Sequence, residues 1–141
     1  MSAAPAFALD HVGVVVPDLD AAAAFFTDVL GFRPTRTAAL GDADRLPETF
    51  GAPDGATLRV AFFDTDGGTV ELLEWTAPAA QTDARAPHGA GTAHLALAVA
   101  DVPAAVARLA AVPGVTLFEA HRRGFVYARA PWGLLLQIVA R

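Results

Sequence analysis

One pattern is written twice along this chain, and each copy opens on a histidine. The run His11-Val-Gly-Val-Val-Val-Pro-Asp-Leu-Asp-Ala-Ala overlays His94-Leu-Ala-Leu-Ala-Val-Ala-Asp-Val-Pro-Ala-Ala. The overlay matches His11 with His94, Val16 with Val99, Asp18 with Asp101, and Gly31 with Gly114. A second pairing sets Arg59 to Trp75 against Phe125 to Arg141, with Gly67 on Gly133 and Glu71 on Gln137. A unit that recurs in this way folds twice into the same supersecondary structure. Duplicated units commonly pack about a pseudo-twofold axis, which lets side chains at matched positions converge. The matched polar residues here are His11, Glu71, His94 and Gln137.

The length of 141 residues suits one domain over 1–141, with module one about 7–75, a linker 76–92 and module two about 93–141. A formal charge of -5 gives no basic footprint for nucleic acid, so a small-molecule partner is expected. The chain has no cysteine, all its basic residues other than histidine are arginine, and its one serine is Ser2. Thiolate, Schiff-base and serine-nucleophile chemistry are therefore set aside. The first residues lack the basic and apolar regions of a secretion signal, and no stretch is apolar enough to span a bilayer. A soluble cytoplasmic protein is expected.

Periodicity predicts the elements. Residues 9–16 alternate as a strand, with Val12, Val14 and Val16 on one face and His11, Gly13 and Val15 on the other. Asp18 is an N-cap, Leu19, Ala22, Ala23, Phe26, Val29 and Leu30 follow helical spacing, and Gly31 is the stop. Strands follow near 32–39, 57–64 and 69–75, the last two joined by a turn at Asp66-Gly67-Gly68. Module two repeats the plan, with a strand at 93–99, a helix at 102–111 capped by Asp101, and strands near 115–120, 124–130 and 134–140. Residues 40–56 are an insertion unique to the first copy. If the valines and leucines lie under the helices, the histidines stand on opposite faces kept open by small residues, and a cavity is expected there.

Two imidazoles and a carboxylate suit a divalent cation such as Zn, Fe, Ni, Co or Mn, and Gln137 adds an amide oxygen. The motifs from Leu9 to Ala22, Thr69 to Trp75, Gly91 to Val102 and Pro131 to Val139 resemble the vicinal oxygen chelate superfamily of glyoxalases, epimerases, extradiol dioxygenases and drug-resistance proteins. The resemblance implies an α+β fold of two βαβββ modules forming a curved mixed sheet around a metal. It implies His11, Glu71, His94 and Gln137 as the ligands, and homodimers are frequent among such proteins. Where related enzymes commonly carry glutamate on the last strand, this chain has Gln137, whose amide cannot take up a proton near neutral pH.

The carboxylate of Glu71 is accordingly expected to be both ligand and proton acceptor, with Glu48 or Asp54 of the insertion as further acidic candidates. Glu74 is expected to point away from Glu71 at the surface, and Trp75 to share the face of Glu71. The first reading is a metal-dependent isomerase or lyase of the glyoxalase and epimerase type, moving a proton next to a carbonyl. The alternatives are an Fe(II)-dependent dioxygenase and a metal-free protein that sequesters a drug.

Overall fold

The computed structural model describes residues 3–82 and 86–141. It divides into two compact units, the first ending at Gln81 and the second beginning at Thr82. Among the described residues, no helix is long and apolar enough to cross a membrane.

In the first unit, strand β1 (His11–Val15) is followed after two residues by Asp18, whose extended backbone and carboxylate, accepting from Ala21 N at 3.0 Å, start helix α1 (Leu19–Ala24). The helix widens into a π-helical turn, Phe25–Val29, so that the adjacent Phe25 and Phe26 are both buried. Gly31, at φ 74°, closes it, with Phe32 N donating to Phe26 O at 2.9 Å. Strands β2 (Arg33–Leu40), β3 (Thr57–Thr65) and β4 (Gly68–Ala77) complete a four-stranded sheet in the order β1-β4-β3-β2. Strand β1 runs parallel to β4, and the other neighbours are antiparallel.

Strands β3 and β4 are central and covered on both faces. On one face Ala61, Phe63, Val70 and Leu72 are buried along with Phe26 of the helix, whose ring lies 5.8 Å from that of Phe63. On the other face Leu58, Val60, Phe62 and Leu73 form a cluster with Leu46 and Ala56, and Trp75 packs at its border. Leu46 and Ala56 come from the insertion, which is not a bare loop. It holds a 3₁₀ turn at Asp42–Asp44 and a short helix α2 (Leu46–Phe50), and the apolar side of that helix roofs part of the Glu71 face.

Glu74 does lie on the face opposite Glu71, but it is more than a solvated surface acid. Its carboxylate accepts from Leu19 N and from Arg59 Nη2, each at 2.7 Å, fastening the first turn of α1 to the sheet. The Leu19 amide, then Arg59, holds its pKa below the usual carboxylate range. Glu74→Gln is expected to cost about 2 kcal/mol of stability near neutral pH, the scale of charge-assisted hydrogen bonds. Because the folded-state pKa is depressed, that contribution is present above the ordinary glutamate pKa and lost as pH falls through the folded value. Urea denaturation of both proteins across acidic pH checks this, since their stabilities should converge at low pH.

The second unit repeats the architecture: β5 (His94–Val99), α3 (Val102–Ala110), β6 (Thr116–Leu117), β7 (Val126–Arg129) and β8 (Leu135–Ala140), in the sheet order β5-β8-β7-β6. Asp101 caps α3 as Asp18 caps α1, accepting from Ala104 N at 3.0 Å. Leu109, Val126, Ala128, Leu136 and Ile138 supply buried side chains. Both units are thus α+β modules of βαβββ order. Two details depart from the expectation. The strand near 115–120 shortens to Thr116–Leu117 with one further backbone bond from Phe118 N to Tyr127 O, and the β7-β8 turn is one residue longer than its counterpart, since Tyr127 pairs with Gln137 where Phe62 pairs with Glu71. The ungapped overlay of the two hairpins therefore holds for β4 and β8 but slips by one residue on β3 and β7, where Tyr127 takes the place of Phe62.

Candidate functional site

Strand alternation puts His11, Gly13 and Val15 at exposed positions and leaves Val12 and Val14 half-buried. The β1-β4 register sets Gly13 directly beside Glu71. A methyl group at Gly13 would stand 3.3 Å from Leu73 Cδ1 and 3.6 Å from Glu71 Oε2. The closer of the two contacts is to Leu73, so glycine here relieves crowding against that side chain, while the Glu71 carboxylate passes alongside and reaches back along the face to His11.

That reach ends with Glu71 Oε2 at 3.1 Å from His11 Nε2. The other ring nitrogen, Nδ1, lies 2.7 Å from Asp10 Oδ2. With an oxygen at each nitrogen, the protonated ring is favoured. The Asp10 hydrogen bond first, then the charges of Glu71 and Asp10 against a desolvation penalty, raise the His11 pKa above its ordinary value. The ring also meets Phe62 edge to face, with centroids 5.7 Å apart.

In the second unit His94, Ala96 and Ala98 take the exposed positions of β5. Gln137 sits between Ala96 and Tyr127 in the ladder, as Glu71 sits between Gly13 and Phe62. The His94 ring meets Tyr127 edge to face at 5.3 Å, repeating the contact of His11 with Phe62. At these matched positions each unit therefore places a histidine, a carboxyl or amide side chain in the neighbouring strand, and an aromatic ring against the histidine.

The donor chemistry fits a divalent cation. With Asp10 on Nδ1, loss of the Nε2 proton would leave Nε2 as the nitrogen open to a cation, an arrangement common around metal-binding histidines. Two donors each about 2.1 Å from one cation, at tetrahedral or octahedral angles, are about 3.0–3.4 Å apart, and the His11 Nε2 to Glu71 Oε2 separation of 3.1 Å falls in that range. Among the described residues no group of three or more histidine, aspartate or glutamate side chains is placed to hold a metal ion. Glu48 lies on α2, exposed and 3.7 Å from Arg45 Nη2. Asp54 is also exposed, in the segment ahead of β3. Trp75 shares the Glu71 face as expected, and its ring meets Phe50 at 5.2 Å.

One residue of this face was not anticipated from the sequence. Pro34 pairs with Phe63 and Arg36 with Phe62, so Thr35 is an extra residue in β2. This bulge puts Arg36 opposite Phe62, with its guanidinium carbon 3.9 Å from the centre of the Phe62 ring. Pro34 within a strand pattern was the available signal, since proline in sheets is confined to edges and bulges.

Residues 10–127 match the family described as the Glyoxalase/Bleomycin resistance protein/Dioxygenase superfamily. A 2-epi-5-epi-valiolone epimerase from Actinomyces is 35% identical over 145 residues, covering 95% of this chain and 79% of that protein. Among solved structures, a glyoxalase family protein from Bacillus cereus aligns with TM-score 0.82 at 21% identity, covering 99% of this chain and 97% of that one. The fosfomycin resistance protein FosX from Listeria monocytogenes, solved with Mn(II) and sulfate, aligns with TM-score 0.66 at 18% identity, covering 95% and 92%. At these identities the two structures support the fold alone. With the family matched over most of its length and a relative at 35% identity, the chain belongs to the glyoxalase, bleomycin resistance protein and dioxygenase superfamily.

Proposed function

We propose that this protein is a metal-dependent epimerase-type enzyme that moves a proton at a carbon next to a carbonyl. The observation that carries the reading is the His11-Glu71 pair. A carboxylate beside Gly13 in the ladder has one oxygen on the imidazole of a proposed cation ligand and a second oxygen to take a proton. The epimerase relative supports the reaction class, and the name of its substrate, a valiolone, supports a small oxygenated ketone as the first compound to test.

The first unit offers His11 and Glu71 to a cation, and His94 and Gln137 stand at the matched positions of the second. When bound, the cation supplies electrophilic stabilisation to the substrate oxygen that gains negative charge. Glu71 takes the proton from one face of the carbon, and inversion is completed when solvent water or a second acid delivers a proton to the opposite face. The half-buried Glu71 carboxylate is positioned by His11, and the apolar roof from Leu46, Ala56 and Trp75 limits water on that face. Gln137, lacking a titratable proton, binds without competing for that role. Glu48 is the second candidate for proton transfer and would first have to leave Arg45.

The test is solvent deuterium exchange. Untagged protein is stripped of metal, supplemented in turn with Zn, Mn, Fe(II), Co or Ni, and incubated with 2-epi-5-epi-valiolone in D₂O. Deuterium entering the carbon beside the carbonyl, only with metal present, is the expected result. Equal exchange in the stripped protein defeats the metal requirement, and absence of exchange with every metal defeats this substrate as the one turned over.

A further inference from the structure

We propose that Arg36 is an anion anchor, a binding residue that holds a carboxylate or phosphate group of the substrate. The register supports it. Arg36, Phe62, Glu71 and Gly13 are consecutive partners across β2, β3, β4 and β1, one row on a single face of the sheet. At about 4.8 Å per strand, the Arg36 backbone lies about 10 Å from that of Glu71, a distance that a small molecule spans with its reacting carbon at one end and an acidic group at the other.

The bulge is what puts Arg36 in this row. Without the extra residue Thr35, the pairing begun by Arg33 with Asp64 and Pro34 with Phe63 would set Thr35 against Phe62 and turn Arg36 to the helix face. Thr35 is held in the bulge by its hydroxyl, which donates to Phe62 O at 3.2 Å.

The contact made by Arg36 also suits an anchor. Arg33, Arg45 and Arg59 each meet a carboxylate, at 3.5, 3.7 and 2.7 Å respectively. Arg36 instead lies over the Phe62 ring, and among the described residues it makes no ion pair. A stacked guanidinium is held in place while its N–H donors stay available for two parallel bonds to an oxyanion. The same ring touches His11 on the other side, so one side chain sets the spacing between the anchor and the imidazole. On a chain of net charge -5, such a fixed cation gives an anionic substrate a defined point of capture.

This inference rests on the proton-transfer reading for the identity of the reacting end, it calls for an acidic derivative of such a ketone and not the uncharged valiolone itself, and its test does not require turnover. The arginine ¹H–¹⁵N signals of the full chain are followed at fixed pH and constant ionic strength. Inorganic phosphate and acetate are titrated in separate arms against a chloride reference. The Arg36 signal is identified by its loss in Arg36→Lys.

A saturable shift at Arg36, larger than at Arg33 and Arg45, is expected. Saturation in the phosphate arm assigns a phosphorylated substrate, and saturation in the acetate arm a carboxylated one. Arg36→Met, which keeps the apolar stem over Phe62, should weaken the binding read at the Gly13 and Phe62 amides by about tenfold. A shift that merely follows the chloride arm, or binding unchanged in Arg36→Met, overturns the anchor and leaves the role of Glu71 standing. Saturable binding combined with full deuterium exchange in Glu71→Gln has the opposite meaning, an anion site without the proposed proton transfer.

Discussion

Glu71→Gln should lower turnover by about 10²- to 10⁴-fold, the contribution expected of a positioned general base. The amide keeps the size and hydrogen-bonding capacity of the side chain, so the contacts beside Gly13 are kept and the sheet is not disturbed. It loses the ability to hold a proton at neutral pH. The carboxylate is also one of the proposed metal ligands, so metal content is measured on the same samples. A variant that retains metal and substrate affinity while losing deuterium exchange separates proton transfer from ligation.

Glu48→Gln is the matched control. Glu48 is exposed and faces Arg45 across 3.7 Å, a surface pair of small energetic consequence, and its replacement should change turnover by less than about threefold. Full activity in Glu71→Gln together with collapse in Glu48→Gln would move the base to the insertion helix.

Phe26→Ala should destabilise the first unit by about 3–5 kcal/mol, the range for removing a fully buried aromatic side chain. Phe26 has no solvent exposure, and its ring meets those of Phe32 at 5.3 Å, Phe63 at 5.8 Å and Phe25 at 6.2 Å. The cavity left by truncation is lined by the helix, the start of β2 and the centre of β3, none of which can close it without moving the others. Phe7→Ala provides the contrast, because Phe7 is 99% exposed and its removal should cost less than about 0.5 kcal/mol. Guanidinium denaturation read by tyrosine and tryptophan fluorescence gives both values. Equal midpoints for Phe26→Ala and wild type would mean that the helix packing described here does not carry stability.

Much of the fold could be read from local patterns in the chain. The Asp18 and Asp101 caps, the glycine stop at Gly31, the exposed alternation of His11-Gly13-Val15 and His94-Ala96-Ala98, and the two-residue turn between Thr65 and Gly68 all depend on near neighbours in sequence. The duplication named His11 and Glu71 as members of one site, and parallel pairing of β1 with β4 brings them to 3.1 Å.

The repeat and the alternation of small and apolar residues determined by themselves the module plan, the strand faces and the identity of the polar residues, because backbone periodicity is a local property. Tertiary structure decided what local patterns do not carry. The bulge at Thr35 turned Arg36 onto the Glu71 face, the longer turn after β7 put Tyr127 in the position of Phe62, Glu74 became a fastening for helix α1, and the insertion became a roof. In each case the outcome depends on which residue of a distant strand or helix stands opposite. That register is selected by the packing and hydrogen bonding of the assembled sheet.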